Sequence, residues 1–328
     1  PAAATLRRMA DLVTPMAVRV AATLGVADHL ARGIGTAAEL ASATGADAGA
    51  LDRLLGHLVT VGVLRREAAD RYALTDLGEA LRDDHPAGVR AVLDIAGALG
   101  RGDLSLVHLL HSLRTGDPCF PALYGRGFWD DVAADPGRTA GYDACMGADV
   151  SAWAPAVVAA LDWGRFDHVV DVGGGDGTLL AALLRAHPNA RGTVFDQPAT
   201  AAAAGARLAA AGLADRAGAV GGSFFDPLPR GGDAYVLCAV LHDWDDEAAA
   251  AILSRCAEAA GRGTVVVVEK TGAGGESPNT TMDLRVLAYF GGRERAVPDL
   301  RRLAERAALG TRAVHQVGDL SIIELAAP

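Results

Sequence analysis

From Phe166 to the end of the chain, short apolar runs alternate with alanine-rich stretches, and this alternation is what most constrains the fold. The apolar runs have the length of buried strands, and the stretches between them have the length and composition of helices. Strands that alternate with helices form a mostly parallel sheet covered on both faces. The predicted strand cores are residues 168–172, 192–195, 234–237, 264–268, 311–316 and 321–325.

The front of the chain has a different order. Thr36 and Glu39 have the spacing of a capping box, and Asp47 can cap a second helix that ends near Gly62. Two short strands then flank a polar turn, which completes the order of a winged helix. We therefore predict three parts: a winged-helix domain at 1–88, a helical segment at 89–155 and an α/β domain at 156–328.

The composition of the chain disfavours some classes of binding partner. The formal net charge of −10 disfavours binding to a nucleic-acid backbone. The longest apolar stretches, such as residues 264–268, are too short to cross a bilayer, so no membrane association is expected. The four cysteines are far apart and share no metal-type spacing, which favours free thiols in a reducing cytoplasm.

A glycine-rich turn, Asp171-Val-Gly-Gly-Gly-Asp-Gly177, follows the first strand of the predicted sheet. Such a turn is common to nucleotide-binding folds, but Asp171 and Asp176 would repel a pyrophosphate and favour a ligand with an ammonium and a sulfonium. Asp196, at the end of the next strand, stands where a carboxylate takes a ribose diol. These features predict a site for S-adenosylmethionine, converted to S-adenosylhomocysteine; the alternative is a purely structural turn with an ordinary strand-end aspartate.

His242 is the candidate base. It follows the strand predicted at 234–241, so it should lie at the same edge of the sheet as the glycine-rich turn. A phenol with a pKa of about 10 needs a base whose own pKa is near neutral, and imidazole has that property.

Four runs, in this order, resemble the plant caffeate-type and bacterial small-molecule O-methyltransferases, including those that act on naphthoate, mitomycin or anthracycline-type aromatic cores. The runs are residues 171–177, 223–229, 242–246 and 291–295, and with the winged helix the resemblance covers nearly the whole chain. It implies that Gly173 and Gly175 hold the methionine end of the cofactor and that Asp196 holds its ribose.

The resemblance also places Ser223 and Phe224 beside the adenine, although the plant enzymes have Asp and Met there. They carry a lysine where this chain has Cys238. It further implies that Glu269 and Glu294 flank His242, orient it and stabilise its protonated form. The alternative is that Glu269 is an ordinary strand-end carboxylate and Glu294 a surface partner of Arg293 or Arg295.

Aromatic and sulfur-containing side chains are the candidates for an acceptor pocket. The resemblance places Met146 and Tyr289 there, and Trp129 and Phe290 are further candidates; each is also compatible with a place in the core. The sequence thus predicts O-methylation of a phenolic hydroxyl on a polycyclic aromatic natural-product intermediate. The same fold could instead perform N- or C-methylation, or a cofactor-assisted decarboxylation or hydroxylation.

The sequence disfavours two further interpretations. A winged-helix DNA-binding regulator is disfavoured because five arginines stand against seven Asp and Glu residues between Thr36 and Arg82; the resemblance implies a dimerisation module and a homodimer instead. Asp245 and Asp246 precede a helix and suit its N-terminus better than a metal. No metal is expected.

Overall fold

The computed structural model describes residues 2–275 and 279–328. Contacts divide these residues into two compact units. One comprises the described residues up to Leu104 together with Pro136–Cys145, and the other comprises Ser105–Asp135 with Met146–Pro328. The segment predicted at 89–155 is therefore shared between the two units.

The first unit has the predicted helix–helix–hairpin order. Thr36 accepts a hydrogen bond from the Glu39 amide while the Glu39 carboxylate accepts one from the Thr36 amide, so the capping box is present. Asp47 caps the next helix by accepting from the Ala50 amide. The elements are α1 (Ala2–Met9), α2 (Val13–Thr23), α3 (Val26–Ala31), α4 (Ala37–Thr44), α5 (Ala48–Thr60), β1 (Leu64–Ala68), β2 (Arg71–Leu74), α6 (Asp76–Glu79), α7 (Val89–Leu93) and α8 (Ala98–Ser105).

Helices of the middle segment lead into the sheet of the second unit. They are α9 (Leu109–Thr115), α10 (Phe120–Tyr124), α11 (Phe128–Ala133) and α12 (Pro136–Ala160). The α/β part then consists of β3 (His168–Val172), α13 (Thr178–Ala186), β4 (Arg191–Asp196), α14 (Pro198–Ala210), β5 (Ala217–Gly221), β6 (Ala234–Cys238), α15 (Asp246–Ala260), β7 (Thr264–Lys270), α16 (Thr280–Phe290), α17 (Val297–Arg306), β8 (Gly310–Val317) and β9 (Leu320–Ala326).

The strands form a seven-stranded sheet in the order β5-β4-β3-β6-β7-β9-β8. β3 to β7 are parallel, and β9 pairs antiparallel with both β7 and β8. Alternate residues of the central strands belong to two different apolar clusters. Val236 and Val266 belong to one cluster, and Leu237 and Val267 belong to the other. This double burial is the reason for the continuous apolar runs, and the predicted fold class is confirmed.

Two local features differ from expectation. β5, Ala217–Gly221, is a glycine- and alanine-rich edge strand without the apolar run on which strand prediction depends. β6 ends at Cys238 rather than at Leu241, because Ala239 adopts the left-handed conformation with φ +53°. The chain then forms a 3-10 turn, Leu241–Asp243, which carries His242.

None of the helices in the described ranges is long and apolar enough to cross a membrane.

Candidate active site

The carboxyl ends of β3, β4, β6 and β7 meet at one edge of the sheet because these strands are parallel. Asp171 lies near the end of β3, Asp196 ends β4, His242 follows β6, and Glu269 is the penultimate residue of β7. The fold therefore brings the predicted cofactor and base residues to one edge.

The glycine-rich turn is held tightly against its neighbours. Gly173 has φ +70°, and a Cβ built on it would lie 2.8 Å from Cγ2 of Val240. The amide of Gly175 donates to Oδ2 of Asp196 over 2.8 Å. A side chain at Gly173 would thus push β3 and the segment after β6 apart.

Asp171 has a buried carboxylate, 1% exposed, for which the described residues supply no well-formed hydrogen bond. Burial, and next the charge of Asp196, raise the pKa of Asp171 to about 7, with only the Leu180 amide acting in the opposite direction. A buried carboxylate of this kind is stabilised by a cation or a strong donor. The site therefore fits a ligand with an ammonium and a sulfonium.

Asp176, the second acid of the turn, has a structural role. Its Oδ1 accepts from both the amide and the hydroxyl of Thr178 at the start of α13, and its Oδ2 pairs with Arg207. Its charge is therefore balanced within the protein, and the negative field at the turn comes from Asp171 and Asp196.

Asp196 keeps acceptor capacity although both of its oxygens are engaged. Oδ2 binds the Gly175 amide and Oδ1 binds the Gln197 amide over 2.7 Å. Burial raises the pKa of Asp196, and the two amides oppose that rise. Each carboxylate oxygen has a second lone pair, so a ribose diol can still donate to this group.

The predicted adenine residues border the turn. The Phe224 ring packs edge-on against Trp244, with centroids 5.5 Å apart, and its Cε1 would lie 3.7 Å from a Cβ on Gly173. Ser223 is exposed, and its Oγ accepts from the Phe225 amide. Cys238 is buried, and burial, Asp171 and Glu269 raise the pKa of its thiol well above the usual range, so it is neutral where the plant enzymes have a lysine.

His242 has acids on both sides of its ring. Nδ1 lies 2.9 Å from Oε1 of Glu294 and 4.0 Å from Oε2 of Glu269, and Nε2 lies 3.3 Å from Oδ1 of Asp243. Oε1 of Glu269 also accepts from the Leu241 amide over 2.9 Å. A hydrogen bond from Nδ1 to Glu294 leaves Nε2 as the nitrogen that can accept a proton.

These acids determine the protonation of the ring. Burial lowers the pKa of His242, but Asp243, Glu269 and Glu294 outweigh it and raise the pKa to about 10. Burial is the main cause that raises the pKa of Asp243 to about 7, although His242 opposes it. The two groups are close enough to titrate as a pair.

Sequence reasoning did not assign Asp243 or Arg295. Asp243 could have been found from its position directly after His242, and it is buried like the two glutamates. The sequence suggests Arg295 only as a surface partner of Glu294, yet in the structure it is 3% exposed. A single sequence carries no signal for the burial of an arginine outside regular structure.

The acceptor-pocket candidates on α11 and α16 form one aromatic cluster around Phe128. Tyr289 stacks on Phe128 with centroids 5.6 Å apart, and Phe290 stacks on Trp129 at 5.2 Å. Tyr289 is buried, whereas Trp129, Phe290 and Met146 on α12 are half-buried. These half-buried side chains leave surface that a flat ligand can contact.

Within residues 2–275 and 279–328, no group of three or more side chains is arranged to hold a metal ion. Asp245 caps α15 by accepting from the Ala248 amide, and Asp246 binds Arg295.

The sheet order, the glycine-rich turn with the buried Asp171 and the acid-flanked histidine at the same edge define a class, the α/β methyltransferases. An O-methyltransferase domain model matches residues 106–309, and an O-methyltransferase dimerisation domain model matches residues 6–84. The chain belongs to this O-methyltransferase family, and its cofactor is S-adenosylmethionine.

Individual relatives agree with that assignment. The chain is 55% identical to the 2,7-dihydroxy-5-methyl-1-naphthoate 7-O-methyltransferase of Streptomyces carzinostaticus, over 98% of this chain and 97% of the relative. It is 41% identical to aclacinomycin 10-hydroxylase RdmB of Streptomyces purpurascens, over 98% and 90%. A crystal structure of an O-methyltransferase from neocarzinostatin biosynthesis, with S-adenosyl-L-homocysteine and 1,4-dihydroxy-2-naphthoic acid, has a TM-score of 0.94 at 55% identity, covering 98% of each chain.

Proposed function

We propose that this enzyme methylates a phenolic hydroxyl of a polycyclic aromatic natural-product intermediate, of the hydroxynaphthoate type, with His242 as general base. The observation that carries the proposal is the imidazole held by Glu294 through Nδ1 at the edge of the sheet that also bears the glycine-rich turn. The 55% identical naphthoate 7-O-methyltransferase supports this acceptor class.

Residues at the ends of β3, β4, β5 and β6 hold the cofactor in this proposal. Asp171, Gly173 and Gly175 hold the methionine end and Asp196 the ribose, while Ser223, Phe224 and Cys238 border the remainder. When bound, S-adenosylmethionine supplies a methyl group activated by its sulfonium. The uncompensated carboxylate of Asp171 supports this assignment, because a ligand ammonium provides the donor that it lacks.

His242 and Asp243 together handle the proton. Glu294 and Glu269 fix the ring and stabilise its charged form. Because the pKa of His242 is about 10, the ring must pass its Nε2 proton to Asp243 before it can accept another. A phenolic hydroxyl placed at Nε2 then loses its proton to the ring, and proton transfer of this kind accelerates reactions by about 10²- to 10⁴-fold.

The acceptor lies against Met146, Trp129, Tyr289 and Phe290, and helices of the segment 89–155 line its pocket. The half-buried Trp129–Phe290 stack supports this proposal because flat aromatic rings pack well on such a surface.

The enzyme is further proposed to be a cytoplasmic homodimer. The dimerisation model at 6–84 supports this, as do exposed apolar side chains on the first unit: Leu6, Met9, Leu12 and Val13. Sedimentation equilibrium would give twice the chain mass of 33.5 kDa; a monomer across the micromolar range would contradict the dimer.

The test of function is calorimetric titration with S-adenosylmethionine and S-adenosylhomocysteine, followed by incubation with hydroxynaphthoic acids and mass analysis. We expect micromolar binding and a product heavier by one CH₂. The 41% identical hydroxylase makes hydroxylation the second candidate, and it would add one oxygen atom instead. Absence of cofactor binding, or oxygen addition without methylation, would overturn the proposal.

Asp243→Asn is expected to move the acidic limb of the kcat profile to higher pH. In the wild type the rate falls as pH drops through about 7, where the His242–Asp243 pair takes up a second proton. Without Asp243, a neutral ring requires deprotonation of His242 itself. Its pKa loses the effect of the Asp243 charge, the largest of the three acids' charge effects, but Glu269 and Glu294 still raise it. We expect a loss of about 10- to 100-fold at pH 7 that alkaline pH recovers.

Asp319→Asn, in the exposed turn between β8 and β9, is the matched control. An acidic limb that stays in place, or moves to lower pH, in Asp243→Asn would exclude the shared proton.

A further inference from the structure

The segment Gly291–Arg295, here called the clamp, leaves the end of α16 and runs along the 3-10 turn that carries His242. Its contacts with that turn go beyond the carboxylate of Glu294. The Arg293 amide donates to the carbonyl of His242 over 2.8 Å, and the Glu294 amide donates to Oδ1 of Asp283 on α16 over 2.8 Å. The clamp is thus fixed to α16 and to the backbone of His242 itself.

Arg295 holds both ends of the turn. Its Nη1 donates to the carbonyls of Leu241 (2.7 Å) and Arg293 (3.2 Å), and its Nη2 donates to the carbonyl of Trp244 (2.8 Å). Nε and Nη2 also donate to Oδ1 of Asp246 in the first turn of α15. One planar guanidinium therefore ties the residues before and after His242–Asp243 to the helix that follows.

The burial of this guanidinium makes its removal costly. Arg295 is 3% exposed, and the bond to the Leu241 carbonyl is fully buried. Without it, the Leu241 carbonyl would have to find another donor or move, since a buried acceptor left without a donor costs about 1–3 kcal/mol.

Gly292 is the point of closest approach between the clamp and the turn. A Cβ built on it would lie 2.3 Å from the carbonyl oxygen of His242 and 2.7 Å from the carbonyl carbon of Asp243. Both neighbours are backbone atoms, which cannot rotate away as a side chain would. Any larger residue must therefore displace the turn.

We infer that Arg295 and Gly292 are positioning residues for His242 and Asp243: Arg295 fixes the two ends of their turn, and Gly292 allows the clamp to reach it. This inference rests on the proposed role of His242 as base. A base must sit within hydrogen-bond reach of its proton, and a displacement of about 1 Å costs about 100-fold in rate.

The test compares Arg295→Met and Gly292→Ala with the wild type, using 1,4-dihydroxy-2-naphthoic acid as acceptor. We expect kcat, per site that binds S-adenosylhomocysteine, to fall about 100-fold, while the Kd of that ligand changes less than about threefold. Arg295→Lys should recover only part of the rate, since an ammonium lacks the planar fork that spans both carbonyls.

Matched controls lie elsewhere on the second unit. Arg302→Met removes an exposed arginine of α17 that pairs with Asp299, and Gly310→Ala adds a Cβ with no atom closer than 3.8 Å. Both should keep wild-type kcat. Titrating the sites with S-adenosylhomocysteine separates misfolding, which lowers the number of sites, from displacement, which lowers the rate per site.

If the wild type does not methylate the acceptor, that result would count against the proposed function alone. A measurement that does not depend on turnover then still tests the inference. In histidine-labelled protein saturated with S-adenosylhomocysteine, NMR follows the ring of His242, identified by its loss in His242→Gln. The groups that face this ring are Asp243, Glu269 and Glu294, which raise its pKa together. Displacing them should lower that pKa in Gly292→Ala, which leaves every charge in place, whereas Arg295→Met also removes a cation from the surroundings of the ring. An unchanged pKa in Gly292→Ala, or an unchanged kcat per site in both variants, would overturn the inference.

Discussion

His242→Gln is expected to lower kcat by about 10²- to 10⁴-fold, the usual contribution of a positioned general base. The amide cannot accept the phenolic proton, whereas the Glu269 carboxylate still accepts from the Leu241 amide and the Glu294 backbone amide still donates to Oδ1 of Asp283. Binding of S-adenosylhomocysteine should therefore be retained. Initial-rate kinetics at saturating S-adenosylmethionine and calorimetry on the same preparation measure the two effects.

His315→Gln is the control, because His315 also forms a histidine–glutamate pair, 2.7 Å from Glu324, but between β8 and β9. It should leave kcat unchanged. If His242→Gln retained more than about a tenth of the rate, alignment of the reactants rather than proton removal would be the main source of catalysis, and the proposed base would be wrong.

Asp196→Ala is expected to weaken binding of S-adenosylmethionine by at least about 100-fold. It removes the carboxylate proposed to take the ribose diol, and hydrogen bonds to a charged group are worth about 1.5–3 kcal/mol each. It also releases the Gly175 amide from its 2.8 Å bond to Oδ2, which loosens the glycine-rich turn. Titration calorimetry of Asp196→Ala and the wild type gives the two affinities directly.

Asp171→Asn is the informative companion to Asp196→Ala. The pKa of Asp171 is raised to about 7 in the folded protein. The charged carboxylate therefore destabilises the ligand-free protein increasingly as the pH rises from the pKa of this group in the unfolded chain to 7 and above. At pH 8 the amide should therefore raise the unfolding temperature while it lowers cofactor affinity. Unchanged affinity in Asp196→Ala, or lower stability with unchanged affinity in Asp171→Asn, would contradict the proposed cofactor site.

Sequence patterns predicted the fold where burial or capping leaves a strong local signal. Val169, Val236 and Val266 are fully buried and lie within predicted strands. Thr36 and Asp47 begin the helices that they were expected to cap. β5 was missed because Gly218 and Gly221 interrupt its short apolar pattern.

The sequence predicted which residues form the candidate site better than it predicted the contacts between them. His242, Glu269 and Glu294 are brought together as the family resemblance implied. The position of Asp243 beside Nε2 depends on the 3-10 turn, which in turn depends on the left-handed Ala239. No residue preference predicts a positive φ at alanine, so the sequence shows Asp243 next to His242 but could not place its carboxylate beside Nε2.

The aromatic cluster has a consequence for changing which acceptors the enzyme takes. Tyr289 and Phe290 are the last residues of α16, and their stacking on Phe128 and Trp129 fixes the end of that helix. The clamp with Glu294 begins immediately afterwards. Replacing these rings to enlarge the proposed acceptor pocket would therefore also disturb the alignment of the proposed base. Met146, the proposed pocket residue on a different helix, offers a route by which substrate range can diverge without loss of turnover.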